Sequence, residues 1–213
     1  MEVSPGRSPI PIRTAVATDA DSLAAVLGRA FADDPVWGWL IPDPGSRVTR
    51  MTRVFGALLR QVHLPHAATE VAGREGPVEA GALWTPPGRW RVSPAAQARQ
   101  ILPVLRGFGR RTPTALRALA TIERQHPEEP HWYLALLGTN PPAQGNGLGA
   151  ALLRSRLDRC DREGMPAYLE SSKDGNVPYY ERFGFRVTEE LAMPGGCPPV
   201  WLMWREPPRG ARP

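Results

Sequence analysis

The segment Gln144-Gly145-Asn146-Gly147-Leu148-Gly149-Ala150 connects an apolar run, His131–Gly138, to an amphipathic stretch that continues to about Arg162. The apolar run predicts a strand, and the amphipathic stretch predicts a helix that opens at Gly145. Glycines at the start of a helix leave the backbone N–H groups unobstructed, and the helix dipole adds about half a positive charge there. Because alternate glycines also weaken a helix, this turn favours binding of a phosphate or pyrophosphate over a plain connection.

The dinucleotide-binding fingerprint is one interpretation of this turn. Gly145-x-Gly147-x-x-Ala150 matches its spacing, and Glu170 ends the next predicted strand at a suitable distance for a ribose contact. However, five residues separate Thr139 from Gly145, and only 43 residues follow Glu170, too few for the rest of a doubly wound sheet. The Walker pattern fails as well, because Gly-Lys-Ser/Thr does not occur.

A second pattern, Gln-x-x-Gly-x-Gly/Ala, is met by Gln144, Gly147 and Gly149. Asn176 and the segment Tyr180-Glu181-Arg182-Phe183-Gly184-Phe185 follow it in order. Together these motifs resemble the GNAT superfamily of acetyl-CoA-dependent N-acetyltransferases. Stretches 129–135, 144–149 and 166–171 are similar to the puromycin N-acetyltransferases of that superfamily. The likeness is dense over residues 128–191 and patchy before them.

The expected fold is a single α/β (α+β) domain over residues 10–206, with flexible ends at 1–9 and 207–213. Strands and helices alternate in the C-terminal half, which indicates a mixed sheet. The resemblance implies a twisted GNAT-like sheet with helices on both faces. Of the 213 residues, 42% are apolar and 22% charged, as in globular proteins, while 21 Gly and 25 Pro argue against a continuous helical bundle.

Charge and composition exclude several classes of protein. The net charge is +5, but the arginines are scattered and form no nucleic-acid-binding pattern, so we expect no nucleic-acid partner. No apolar run is long enough to span a membrane, and the first residues lack the apolar segment of a signal peptide, so we expect no membrane partner and a cytoplasmic location. Two cysteines and four histidines show no metal-ligand spacing, so no metal is expected. The expected assembly is a monomer or a homodimer.

The resemblance implies that acetyl-CoA is the acyl donor. It places the donor against the backbone N–H groups of the strand before the turn, against the turn itself and against Asn176. The implied binding residues are Leu137, Gly138, Thr139, Gln144, Gly145, Asn146, Gly147, Leu148, Gly149, Ala150 and Asn176. The family usually has Lys or Arg at the position of Asn146, so Arg154 or another arginine would have to supply that charge. For Asn176, the alternative role is a helix N-cap.

Acetyl transfer to a primary amine requires a base for the amine and an acid for the thiolate. The resemblance assigns the acid to Tyr180, which is protonated at neutral pH because the ordinary pKa of tyrosine is about 10. A core aromatic residue is the alternative. Glu170 is the candidate base because strand ends face sites, and a solvated or ion-paired carboxylate is its alternative. Cys160 is expected to be buried and inert, which favours direct attack by the amine over a covalent enzyme intermediate.

The acceptor is less defined by the sequence. Asp33, Asp34 and Asp43 lie near Trp37 and Trp39, and such a set suits a cationic amine with an apolar body. Surface acids at a helix end are the alternative interpretation, and the preferred one. The expected acceptor is a small-molecule amine, for example an aminonucleoside or another antibiotic-like amine. A protein or peptide amine, or a non-catalytic CoA-binding module, remain the alternatives.

Overall fold

The computed structural model describes residues 9–73 and 76–208 of the chain. The flexible ends expected at 1–9 and 207–213 lie outside the described residues, except for Pro9, Pro207 and Pro208. The described parts form one mixed seven-stranded sheet with helices on both faces. This architecture confirms the fold class expected from the sequence. No helix in the described ranges is long and apolar enough to cross a membrane.

The strands run in the order β1-β2-β3-β4-β5-β7-β6 across the sheet. Neighbouring strands are antiparallel except β4 and β5, which are parallel. The strands are β1 Ile12–Thr14, β2 Glu70–Ala72, β3 Ala80–Thr85, β4 Trp132–Thr139, β5 Ala167–Ser171, β6 Arg186–Leu191 and β7 Val200–Arg205. The helices are α1 Ala20–Ala30, α2 Pro35–Leu40, α3 Pro44–Leu58, α4 Pro94–Phe108, α5 Thr112–Arg124, α6 Leu148–Glu163 and α7 Val177–Glu181.

Local capping explains where the first helices begin. Asp34 and Asp43 are the N-caps of α2 and α3, and each is followed by a proline at the first helical position. Proline is preorganised for this position because its missing N–H would have no partner there. These caps fix the starts of α2 at Pro35 and of α3 at Pro44.

Each face of the sheet carries its own core. On one face, α1 and α3 pack near Tyr168 and Leu202, whereas α6 packs on the other face near Leu169 and Met203. The alternation of side chains along β5 and β7 produces this division.

A β-bulge in β4 shapes the centre of the sheet. Leu83 of β3 pairs with Leu136 and Trp84 pairs with Leu134, so Ala135 is the extra residue. A bulge bends its strand and increases the local twist. Pairing between β4 and β5 is confined to residues 132–134 and 167–169. Beyond them lies what we call the β4–β5 gap, bordered by residues 135–139 and by residues 170 and 171.

Candidate active site

The backbone of β4 borders the β4–β5 gap with unpaired groups. The N–H of Asn140 donates to the carbonyl oxygen of Glu79 at 2.7 Å, continuing the pairing of β4 with β3. Because bonded and non-bonded pairs alternate in an antiparallel ladder, the N–H groups of Leu137 and Thr139 point away from β3 and into the gap. The N–H of Gly138 points towards β3. Two of the three expected β4 residues therefore offer a free donor to the gap.

Gly138 has a packing role on the α1 side of the sheet. A Cβ atom at this position would lie 2.8 Å from Cδ2 of Leu27 and 3.0 Å from Cβ of Ala30. Both distances are shorter than ordinary van der Waals contact. The glycine thus allows α1 to approach the strand that borders the gap.

The glycine turn after β4 adopts a backbone that only glycine takes readily. Gly145 and Gly147 have φ angles of +77° and +82°, in the left-handed region. The helix α6 consequently begins at Leu148 and not at Gly145, with Gly147 as an N-cap that has no side chain. The first N–H groups of a helix have no partner within it, so this end of α6 presents donors to an anion. The Nδ2 of Asn146 donates to the carbonyl of Ala143 at 3.2 Å, and Nε2 of Gln144 donates to that of Thr139 at 3.2 Å.

Gly149 makes room where β4, α6 and α7 meet. A Cβ at this position would lie 3.1 Å from Oη of Tyr179 and 3.6 Å from Oγ1 of Thr139. Arg182 lies over the Tyr179 ring at 5.3 Å, and Arg154 lies over the Phe183 ring at 5.6 Å. Two guanidinium groups therefore stand near the start of α6, where the sequence has Asn146 in place of a basic residue.

Tyr180 and Tyr179 are neighbours with different surroundings. Their rings are 5.4 Å apart at 73°. Burial raises the pKa of Tyr180, and Tyr179 and the negative charge of Asp34 raise it further. The pKa of Tyr179 is also raised by burial, but Arg182 and Arg154 oppose the rise. The Tyr180 hydroxyl thus stays protonated at neutral pH. The charge of Asp34 raises the pKa of Tyr180, whereas the charges of the two arginines lower that of Tyr179.

Asn176 precedes α7 and is exposed. Its side chain makes no capping hydrogen bond to the helix. Asn176 therefore occupies the N-cap position of α7, as its alternative role expected, but its side chain does not cap the helix.

Glu170 is the first residue of β5 beyond the last pair with β4. Its side chain is only 9% exposed, and Oε1 lies 3.4 Å from Nδ1 of His126. Among the described residues this buried oxygen has no hydrogen-bond partner of good geometry. The carboxylate adds to the effect of burial in raising the pKa of the phenols of Tyr133 and Tyr168. Of the two alternatives, a solvated carboxylate is wrong, and His126 is the partner that an ion pair would need.

Four residues around Glu170 were missed by sequence reasoning: His126, His131, Tyr133 and Tyr168. A weak signal existed for Tyr168, because alternation along β5 places Tyr168 and Glu170 on the same face. No signal identified the histidines, which belong to no motif.

The acids after α1 divide into two groups. Asp34 is buried and its Oδ1 accepts hydrogen bonds from the N–H groups of Val36 and Trp37, each at 3.0 Å, while Oδ2 accepts one from Ser172. Burial raises the pKa of Asp34 although these donors lower it. Asp33 is exposed and pairs with Lys173 at 2.7 Å. The interpretation as surface acids fits Asp33 but is wrong for Asp34.

Asp43 is exposed and caps α3, which also fits the interpretation as a surface acid. The two tryptophans nearby have separate surroundings. Trp37 packs against Phe55 and Phe108 in the core. Trp39 lies near Gly195 in the connection between β6 and β7.

The cysteines are not arranged as nucleophiles. Burial raises the pKa of Cys160 to about 12 and that of Cys197 to about 11. Both thiols are therefore protonated at neutral pH, and Cys160 is buried as expected. In the parts of the chain that the structure describes, no three His, Cys, Asp or Glu side chains converge as a metal site would require.

Comparisons with known proteins show what this chain resembles. The model of the acetyltransferase (GNAT) family matches residues 104–185. An uncharacterised N-acetyltransferase of Schizosaccharomyces pombe is 28% identical over 203 residues, which are 90% of this chain and 81% of that protein.

Solved structures agree. One from Corynebacterium glutamicum, described as histone acetyltransferase HPA2 and related acetyltransferase, is 27% identical with a TM-score of 0.71, covering 96% of this chain and 99% of that one. The PaiA N-acetyltransferase of Thermoplasma acidophilum in complex with coenzyme A shares the fold at 12% identity and a TM-score of 0.55, covering 92% and 98%. The family model, the relative and the solved structures support a GNAT-superfamily acetyltransferase, and these similarities indicate an acyltransferase enzyme.

Proposed function

We propose that the protein transfers the acetyl group of acetyl-CoA to a primary amine of a small molecule, by direct attack of the amine on the thioester. The observation that carries this proposal is the buried Glu170 carboxylate at the closed end of the β4–β5 gap. A buried carboxylate oxygen without a hydrogen-bond partner is costly. An ammonium group entering the gap would supply both the missing donor and the opposite charge.

The residues along the gap fit acetyl-CoA. The start of α6 with the turn Gln144 to Ala150 would hold the pyrophosphate, since helix N-termini and open N–H groups bind such anions. The N–H groups of Leu137 and Thr139 would bind the pantetheine arm and the thioester carbonyl, and Gly138 would keep β4 close to α1. Asn176 would contact the same arm, and Arg154 and Arg182 would supply the positive charge that Asn146 lacks. The thioester, when bound, supplies an activated carbonyl with a thiolate leaving group.

The protein's own groups divide the proton transfers between them. Glu170 accepts a proton from the ammonium, directly or through water, and so leaves a neutral nucleophile. Donors on β4 stabilise the charge that develops on the carbonyl oxygen. Tyr180 holds its proton at neutral pH, because its pKa is raised by burial and by Asp34, and donates it to the departing sulfur.

Two contacts tie the connection after α1, where we place the acceptor, to the end of β5, and this tie favours a small acceptor. The hydrogen bond from Ser172 to Asp34 and the ion pair between Lys173 and Asp33 join the connection after α1 to the end of β5. The similarity to puromycin N-acetyltransferases suggests an aminonucleoside or another antibiotic-like amine. A protein amine is the second candidate, because the relative from Corynebacterium glutamicum is described as a histone acetyltransferase. A non-catalytic CoA-binding module is set aside, since the chain is an acyltransferase.

Calorimetry and a thiol-release assay test the proposal. We expect acetyl-CoA to bind and NADH not to bind. We then expect thiol release with puromycin or other small primary amines to exceed that with a lysine-containing peptide. Glu170→Gln should bind acetyl-CoA normally and release thiol at least about 100-fold more slowly, the usual size of a general-base contribution. Release with the peptide alone would assign a protein acceptor, and absence of acetyl-CoA binding would overturn the donor site.

A further inference from the structure

Two buried histidines form a chain of contacts behind Glu170. His126 Nε2 lies 3.1 Å from His131 Nε2, and Nδ1 of His131 lies 2.6 Å from the carbonyl oxygen of Glu129. A carbonyl oxygen can only accept a hydrogen bond. His131 must therefore carry a proton on Nδ1.

This proton on His131 fixes the roles of the remaining ring nitrogens. His131 is 2% exposed, and burial lowers its pKa, so the ring is neutral near pH 7 and its Nε2 is an acceptor. His126 must then donate from its own Nε2. The only free position left on His126 is Nδ1, which faces Oε1 of Glu170 at 3.4 Å. One proton can therefore lie between Nδ1 of His126 and Oε1 of Glu170.

From this geometry we propose that His126 is a proton relay for acetyl transfer, receiving from Glu170 the proton that the acceptor amine loses. The N–H bond of the ammonium breaks, its electron pair stays on nitrogen, and the proton passes through Oε1 of Glu170 to Nδ1 of His126. An imidazolium beside a carboxylate results, and the proton returns through Glu170 to water after the product leaves. His131 holds the His126 ring in the required tautomer and acts as a positioning residue.

The relay explains how Glu170, a weak base by itself, can take part in the deprotonation of an amine. A glutamate alone has an ordinary pKa of about 4.3, far below that of a primary amine, and is a weak base for it. A general base is most effective when its pKa lies near the working pH. An imidazole, whose ordinary pKa is about 6.5, is a stronger base for that proton than a carboxylate.

The surroundings keep the array dry and well oriented. The His126 ring stacks on Trp90 at 4.1 Å and meets the edges of Tyr133 and Tyr168 at 4.7 and 4.9 Å. Among the described residues, the titratable groups in contact with His126 are Glu170, His131, Tyr133 and Tyr168, and Glu189 acts on the last of these. Both phenols stay protonated because their pKa values are raised. The proposed proton transfer therefore takes place between Glu170 and His126.

Nitrogen-15 NMR of the histidine rings tests the tautomers without any acceptor. We expect His131 to carry its proton on Nδ1 and His126 on Nε2 at high pH, with His126 gaining a second proton on Nδ1 as the pH falls. Glu170→Gln should lower the pH midpoint of that step, because the neighbouring negative charge is lost. A proton on Nδ1 and none on Nε2 of His126 at high pH would overturn the relay.

Kinetics of His126→Gln test the function of the relay, which rests on the proposed acetyl transfer. Glutamine keeps a polar side chain but cannot take up a proton. We expect a fall in kcat of about 100-fold with an unchanged KM for acetyl-CoA and a shifted acidic limb of the pH profile. The control is His63→Gln, another buried histidine, which contacts Thr85 outside the array; it should keep the wild-type pH profile.

The two proposals fail in different ways. If wild-type protein releases no thiol with any amine, the proposed function is wrong, and the NMR titration still decides whether His126 and Glu170 share a proton. If the wild type is active and folded His126→Gln keeps its rate and pH profile, the relay is wrong and the proposed function stands.

Discussion

The hydroxyl of Ser172 donates a hydrogen bond to the carboxylate of Asp34, across 138 positions of sequence. The same carboxylate accepts from the N–H groups of Val36 and Trp37 and so begins α2. The buried Asp34 side chain thus fixes the start of α2. It also connects the segment after α1, where we propose that the acceptor binds, to the end of β5. Asp34 also contributes to the raised pKa of Tyr180, which places it close to the proposed chemistry.

Replacement of Asp34 by alanine should destabilise the protein more than the same change at Asp43. Asp34 is buried with three donors, whereas Asp43 is exposed and caps α3. Loss of a cap costs about 1 kcal/mol, and unsatisfied buried groups add to this cost. We expect the free energy of unfolding, measured in urea, to fall by about 2–3 kcal/mol for Asp34→Ala and by about 1 kcal/mol or less for Asp43→Ala. Equal losses would contradict the network.

The pH dependence of stability should also report on Asp34. Burial raises its folded-state pKa above the ordinary value of 3.8, so the folded state binds this proton more tightly than the unfolded state. The contribution of Asp34 to the free energy of unfolding should therefore decrease as the pH rises from the unfolded to the folded pKa. Asp34→Asn removes this contribution, so the stability of the wild type relative to this variant should decrease across that range. A rise would show that the donors outweigh burial.

Much of the fold could be predicted because the signals are local. The segments Ala167–Ser171 and Val200–Arg205 form β5 and β7, and each is a short apolar run of the kind that predicts a buried strand from sequence alone. The helix α2 has only six residues and is too short to show a helical period. Its start, Asp34 followed by Pro35, is a cap signal that could have revealed it.

The candidate site was predictable only at residues that carry a signal in the sequence itself, such as a family motif or the end of a strand. The glycine turn was expected from its residues, Tyr180 from the resemblance and Glu170 from its place at a strand end, and their functions remain proposals. His126 is 44 positions before Glu170, and no spacing rule relates the two. The bulge at Ala135 depends on pairing with β3. Such contacts form only when the sheet assembles, and no periodic pattern in the sequence reveals them.

The two ends of α6 offer a matched pair of variants for the donor site. Gly147 before the helix and Gly164 after it have φ angles of +82° and +61°. Alanine at either position should cost about 1–2 kcal/mol, because L-residues are strained in this region. Only Gly147→Ala should also weaken acetyl-CoA binding in calorimetry, since its N–H borders the proposed pyrophosphate site. Similar affinities for the two variants would move the pyrophosphate away from this turn.

Variants of the two neighbouring tyrosines should distinguish a loss of kcat from a loss of affinity for acetyl-CoA. Asp34 raises the pKa of Tyr180. The Tyr179 hydroxyl instead lies near Gly149, and two arginines act on its pKa. Tyr180→Phe removes the proposed acid, so kcat should fall by at least about 10-fold, while the Kd for acetyl-CoA changes by less than about 2-fold. Tyr179→Phe should mainly raise that Kd. Thiol-release kinetics and calorimetry on both variants measure the two effects, and an unchanged kcat in Tyr180→Phe would transfer the acid role to another group.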